Sequence, residues 1–247
     1  MATTAEKNAF KTQIAEDEAN RSVTIGTFNV NQYVKQNATA VQEAMHIAMR
    51  AGAAVVGVQE YCEFWNLPTN TSKISGVYDN VSTVKVLDDL GWGNGWAGNA
   101  IVSHYALTKT EKDKFSKLED GGICGYVKSI INACGKNISI YNTHFSSMGP
   151  DYVKQHAKEL ANIFKADKNY YKVITGDFNT NYDEYGVYKD DLKPLTDLGL
   201  QPAFPFVPGQ IDNILAPPYM LVTDKGKVDV PDTVSDHNLF YATFRLN

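Results

Sequence analysis

The sequence predicts a layered α/β domain in which two stacked sheets are flanked by helices. Three observations carry the prediction. The core opens as strand, helix, strand: Val23-Thr24-Ile25-Gly26-Thr27-Phe28-Asn29-Val30, a helical stretch to Gly52, then Ala54-Val55-Val56-Gly57-Val58. Two groups of β-rich runs alternate with helical stretches, and no linker divides them. The 247 residues, 43% hydrophobic and without internal repeat, suffice for one sizeable core.

Residues 1–20 are polar and mixed in charge, with Phe10 and Ile14 as the main apolar points of a weakly amphipathic helix. They read as an appendage or linker, able to connect to a larger assembly, before a domain at 21–247. They hold no h-region, so no secretory signal is expected. Asn37 to Gly52 has helical spacing through Val41, Met45, Ala48 and Met49, with Gly52 as the stop. Residues 61–80 read as irregular, and Val81 to Leu90 as a short helix ended by Gly91. Asn99 to Ser103 is a strand. Ile123–Ala133 and Asn137–His144 form a hairpin, and Asp151–Ala166 a helix with Val153, Leu160, Ile163 and Phe164 on one face. Strands follow at Tyr171–Ile174, Ile211–Leu215 and Leu239–Phe244.

No apolar stretch approaches the ~20 residues that span a bilayer. The cysteines, Cys62, Cys124 and Cys134, are odd in number and match no zinc spacing. Cys124 and Cys134 fall on one strand, roughly 33 Å apart if extended, so they are expected to be free thiols. Reducing, cytoplasmic surroundings are favoured. Net charge is −5 and only Arg21, Arg50 and Arg245 are arginines. That argues against tight non-specific nucleic-acid binding. It does not exclude a nuclease, because a bound divalent cation supplies positive charge locally.

The chemistry is written at the strand ends. Tyr171-Lys172-Val173-Ile174 runs into Thr175-Gly176-Asp177-Phe178-Asn179. Period-two alternation turns Asp177 and Asn179 to one side and Phe178 to the other. The first strand ends at Asn29, the next at Glu60, and Ile138–Asn142 at Thr143-His144; Ile211 precedes Asp212, and Val234-Ser235 precedes Asp236-His237. Each residue alone has a packing or capping explanation. Six polar endings after apolar runs point to a shared cause, since converging carboxylates repel and are tolerable only with cations or shared protons.

Read together, Thr27-Phe28-Asn29-Val30, Val58-Gln59-Glu60, Gly98 to Ser103, Asn142-Thr143-His144, Gly176-Asp177-Phe178-Asn179, Ile211-Asp212-Asn213-Ile214 and Ser235-Asp236-His237 resemble the endonuclease/exonuclease/phosphatase, or deoxyribonuclease I-like, superfamily. The resemblance covers residues 23–246. It implies a four-layer α/β/β/α sandwich of two mainly antiparallel sheets, and phosphoester hydrolysis with Mg²⁺, or else Mn²⁺ or Ca²⁺. By that resemblance Glu60 is the principal metal ligand, helped by Asn29 and Asp236. His237 is general base or transition-state donor, oriented by Asp212. Asp177 and Asn179 position the attacking water, and His144 donates to a phosphate oxygen or the leaving group. Asn99, Tyr61 and Trp96 are candidate substrate contacts. His104 and Tyr61 stand where many relatives carry arginine, which bears on substrate choice.

The glycine-rich segment holding Trp92 and Trp96 reads as two packed indoles, with an aromatic wall for a base or sugar as the alternative. Tyr182, Tyr185 and Tyr188 read the same two ways. Three functions follow in order: a metal-dependent nuclease on DNA or RNA; a phosphodiesterase or phosphatase on a nucleotide, inositol phosphate or lipid head group; and a binding module that keeps the fold without turnover.

Overall fold

The computed structural model describes residues 2–35, 37–64, 77–87, 95–116, 122–180, 191–207 and 209–247. Two sheets of six strands stack face to face. In the first, β1 (Ser22–Asn29), β2 (Val55–Phe64), β3 (Asn80–Leu87), β4 (Gly95–Ser103), β11 (Leu221–Val228) and β12 (Leu239–Arg245) run in the order β11-β12-β1-β2-β4-β3. In the second, β5 (Thr108–Lys114), β6 (Gly125–Ala133), β7 (Lys136–His144), β8 (Tyr171–Asp177), β9 (Gln201–Pro202) and β10 (Asp212–Ala216) run β5-β6-β7-β8-β10-β9. Each sheet has one parallel pair, β1 with β2 and β7 with β8; the other pairs are antiparallel. A helix bridges each parallel pair, as a parallel crossover requires. These are α3 (Ala38–Arg50) and α4 (Pro150–Ala166). Helix α1 (Thr4–Ala19) lies before β1, and two single turns, α2 (Gln32–Lys35) and α5 (Lys193–Thr196), complete the described helices.

Alternation along the strands divides the core into three parts. Val23, Ile25, Val55, Ile138, Ile140, Val173 and Ile214 fill the space between the sheets. Phe28, Val30, Val56, Val58 and Tyr61 face α1 and α3, while Tyr141, Phe145, Ile174 and Phe178 face α4. The layers are therefore helix, sheet, sheet, helix. Asn142 ties the sheets together below one edge. Its Nδ2 donates to the carbonyls of Val58 and Ala100, both at 2.8 Å, and its Oδ1 accepts from Gln59 and Thr175. Gly57 permits this approach, because a Cβ there would stand 1.9 Å from Thr175 Oγ1.

Two expectations need correction. Residues 81–90 were expected as a helix, yet 80–87 are strand β3, where Val84 and Val86 are buried and Lys85 between them is exposed. The β-branched valines at a period of two outweigh the short helical pattern. Irregular structure was expected from 61, yet β2 continues to Phe64. Residues 2–20 carry the expected helix, and it packs against the first sheet and its helix. A capping box between Thr3 and Glu6 starts α1, and Phe10 and Ile14 are buried with Met45, Met49 and Tyr78.

The hairpin and the 151–166 helix are as expected. Cys134 and Gly135, both at positive φ, form the two-residue turn that closes the hairpin. Trp92 and Tyr182, Tyr185 and Tyr188 lie outside the described residues. Among the described residues no helix is long and apolar enough to cross a membrane.

Candidate active site

At one edge of the sandwich the inward-facing rows change from apolar to polar. Val23, Ile25 and Thr27 lead along β1 to Asn29; Tyr171, Val173 and Thr175 lead along β8 to Asp177. Ile138, Ile140 and Asn142 lead along β7 to His144, and Asp212 begins β10 directly opposite Asp177. Ordinary strand alternation thus aims four of the expected side chains into one space. Phe178 turns to the α4 side and is fully buried there.

Glu60 reaches this space by a bulge. The register of β2 against β4 shifts between Val58 and Tyr61, and Glu60 sits at φ 54°. One extra residue reverses the parity of a strand. Val58 and Tyr61 consequently both face the helices, Cys62 returns to the inter-sheet core, and Glu60 is freed for the sheet edge. Asn31 and Asn179 also hold positive φ, at 48° and 45°. Such backbone strain concentrates where a fold over-determines a functional geometry.

Asn29 bridges the two sheets. Its Nδ2 donates to Glu60 Oε1 at 3.1 Å and to Asp177 Oδ2 at 3.0 Å, while its Oδ1 accepts from Asn31 N–H. Asp177 Oδ1 accepts from the Asn179 backbone N–H at 3.0 Å. Asn179 Nδ2 lies 3.1 Å from His144 Nε2 and donates to the Phe145 carbonyl. His237 Nδ1 is 2.7 Å from Asp212 Oδ2, and its Nε2 is 3.9 Å from Asp177 Oδ2. Ser235 Oγ donates to the Asn29 carbonyl and accepts from His237 N–H, locking the loop before β12 onto the end of β1.

Burial and the neighbouring Asp177 carboxylate push Asp212 up to about 6. Burial alone would discharge His237, but the Asp212 carboxylate, its hydrogen bond, and then Asp177 and Asp236 outweigh it and raise the imidazole to about 10. The close contact with Asp212 thus favours the charged form of the imidazole.

The donor set fits a cation. Among the described residues, Glu60 Oε2 and Asp212 Oδ1 are buried without a hydrogen-bond partner, which is costly for a carboxylate unless positive charge faces it. Among the described residues, Asp177, Asp212 and His237 have ligating atoms within 4.8 Å of one another. The expected ligands are arranged differently. Asn29 presents its amide N–H, not its oxygen, to the carboxylates. The Asp236 side chain is 63% exposed, and its Oδ1 accepts from Asn31 Nδ2 at 2.6 Å.

Two of the three expected substrate contacts, Asn99 and Tyr61, are buried. Asn99 is fully buried, its Nδ2 donating to the Ile123 and Gly125 carbonyls of the other sheet. Tyr61 is buried on the helix side by the bulge, and Trp96 packs against it, ring centroids 6.0 Å apart. His104 follows the end of β4 remote from Glu60, its ring edge-on to Phe10. Sequence reasoning missed Asn31 and quoted Ser235 without giving it a role. Asn31 lies two residues past Asn29, and Ser235 two before His237, so the strand-end rule already reached both neighbourhoods.

A model of the Endonuclease/Exonuclease/phosphatase family matches residues 26–237. The chain belongs to this family. None of the curated proteins matches it in sequence. Solved structures share its fold at low identity. An endonuclease/exonuclease/phosphatase from Beutenbergia cavernae is 16% identical, with a TM-score of 0.72 over 92% of this chain and 72% of that one. TDP2 of D. rerio, complexed with a single-strand DNA product, is 14% identical, with a TM-score of 0.68 over 91% and 99%. A mannosyl-6-phosphatase of Bacteroides thetaiotaomicron is 16% identical, with a TM-score of 0.62 over 89% and 98%. Family membership, with the acidic and histidine cluster, makes the chain a phosphoester hydrolase of the divalent-metal-dependent kind.

Proposed function

We propose that the chain is a nuclease, cleaving phosphodiester bonds in DNA or RNA by in-line attack of water. The observation that carries the reading is the Asp212–His237 pair facing Asp177 across the strand ends, with the orphaned Glu60 Oε2 beside them. Glu60 is the principal metal ligand, with Asp177 linked to it through Asn29 and Asp236 available from the solvent side. A bound Mg²⁺, or Mn²⁺ or Ca²⁺, supplies the positive charge that draws phosphate oxygens into this acidic space.

The chain's own groups do the rest. Asp212 fixes His237 through Nδ1, so Nε2 is the nitrogen that donates to a phosphate oxygen as charge builds on phosphorus. Asp177, itself held by Asn179 N–H and Asn29 Nδ2, accepts a hydrogen bond from the attacking water and aims it. The Asn179 side chain fixes the ring of His144. His144 Nε2, 3.1 Å from Asn179 Nδ2 and 3.6 Å from Asp177 Oδ2, is the ring nitrogen that faces the site and meets the substrate.

The alternative, a phosphodiesterase or phosphatase for a small or lipid ester, is favoured by one observation: all three arginines lie at 21, 50 and 245, away from the catalytic strand ends. A panel of plasmid DNA, single-stranded DNA, RNA, bis-p-nitrophenyl phosphate, sphingomyelin and inositol phosphates, with each cation and with chelator, decides. Nucleic-acid cleavage lost with chelator supports the nuclease. Turnover of small esters alone supports the alternative, and tight metal binding without turnover supports a binding module.

A further inference from the structure

Beside His237 lies a groove of about 410 Å³ that continues outward from the catalytic groups. Asp212, Asp236 and His237 form its inner wall, so whatever enters it adjoins the reacting phosphate. Val207, Ile211 and Phe240 make an apolar face, and Gln210 and Lys227 bring polar groups to it. The volume is in the range of a single small-ligand site.

Gln210 is unusual there. Its backbone N–H closes a turn onto the Val207 carbonyl, while its side-chain Nε2 is shut off from solvent with no hydrogen-bond partner among the described residues. An unmatched buried donor is destabilising, so little holds the amide in place once an acceptor enters the adjoining groove. Lys227 pairs with Asp229 at 3.0 Å, and both side chains are well exposed. An exposed ion pair contributes little and exchanges readily for another anion.

We infer that this groove is a specificity subsite for the nucleotide flanking the scissile phosphate, with Gln210 donating to a base acceptor and Lys227 meeting the next phosphate. A planar ring fits the Val207–Ile211–Phe240 face, and a carbonyl oxygen or ring nitrogen on its edge satisfies the orphaned amide. A lipid chain would leave that amide unmatched. The inference rests on the nuclease reading, and the two fail separately.

The test compares wild type, Gln210→Ala, Gln210→Glu and Lys227→Ala. Substrates are short single-stranded oligodeoxynucleotides and bis-p-nitrophenyl phosphate, with added Mg²⁺ or Mn²⁺. Loss of one neutral hydrogen bond should lower the ratio of oligonucleotide to small-ester kcat/KM about five- to ten-fold in Gln210→Ala, chiefly through KM. Gln210→Glu should lower it further, and Lys227→Ala should flatten the salt dependence of oligonucleotide KM by about one phosphate contact. Equal losses on both substrates, or none on either, overturn the subsite and leave the nuclease intact. Calorimetric titration of nucleoside 5′-monophosphates decides the converse case. If oligonucleotides are not cleaved, the nuclease reading fails; mononucleotide binding weakened by Gln210→Ala then keeps the subsite, and binding indifferent to it overturns the subsite as well.

Discussion

Asp177 holds its neighbours and is held by them, so its substitution separates chemistry from folding. Asp177→Ala and His237→Ala should each reduce turnover by about a thousand-fold or more, as expected for loss of a water-aiming group or a transition-state donor. Circular dichroism should be unchanged, and near-normal turnover in either variant would contradict the roles given to them. Gly57→Ala should do the reverse. Its Cβ would meet Thr175 Oγ1 at 1.9 Å and Asn142 Oδ1 at 2.5 Å, prising apart the polar layer beneath the site. Overpacking there should cost about 2–4 kcal/mol in a urea unfolding series. Most of the site was legible residue by residue, because plain alternation carries Asn29, His144, Asp177 and Asp212 to one side of their strands. Tyr61 was not, because the bulge that exposes Glu60 also turns Tyr61 inward, and a bulge leaves no mark in a hydrophobic pattern. Asn99 misled for a related reason: a buried amide that cross-links sheets reads in sequence like one that meets substrate.

At the scale of elements, α1 bears on the appendage reading. Its apolar pattern is thin, yet Phe10 meets Tyr78 edge-on at 5.8 Å and covers the outer face of the first sheet. Phe10→Ala should therefore destabilise the whole fold by about 3–4 kcal/mol; a change below about 1 kcal/mol would support the appendage reading. Helix α4 is fastened to the second sheet by a polar knot. Asp167 accepts from Asn169 N–H at 3.0 Å and Tyr141 O–H at 2.7 Å, with Lys128 Nζ at 3.4 Å. Burial works against the Asp167 carboxylate, but these partners and Ser139 outweigh it and hold it at about 2, below the ordinary 3.8. A depressed carboxylate stabilises above its unfolded value and loses that contribution as pH falls through its folded value. Asp167→Asn should thus cost about 1–2 kcal/mol at pH 5, after allowance for solvent screening, and progressively less between pH 3.8 and 2. A difference that stays constant down to pH 2 would contradict this. The strand misread as a helix, β3, shows the limit of short windows: Val81 to Leu87 satisfies both periods, and only pairing with β4 decides.

The molecule as a whole is a rigid pair of sheets whose core turns acidic at one edge. Its net charge of −5 and three arginines leave the attraction of a polyanion to a bound cation and local lysines. Cation binding should stabilise the folded state, by about 2.7 kcal/mol at a hundred times Kd, and raise Tm by several degrees. Glu60→Gln should remove most of that shift. The layered architecture was legible because short apolar, β-branched runs mark the central strands, which are buried on both faces. Substrate choice was not, because the groove beside His237 is assembled from residues within 207–212, at 227 and within 236–240 that sequence spacing does not connect. The most direct measurement is the rate of bis-p-nitrophenyl phosphate hydrolysis against Mg²⁺ concentration, for wild type and Glu60→Gln, with a chelator blank. A metal-dependent centre at the strand ends requires saturable activation in wild type, no activity in chelator, and a midpoint shifted at least ten-fold upward in Glu60→Gln. Chelator-resistant hydrolysis, or identical Mg²⁺ curves for the two proteins, would contradict it.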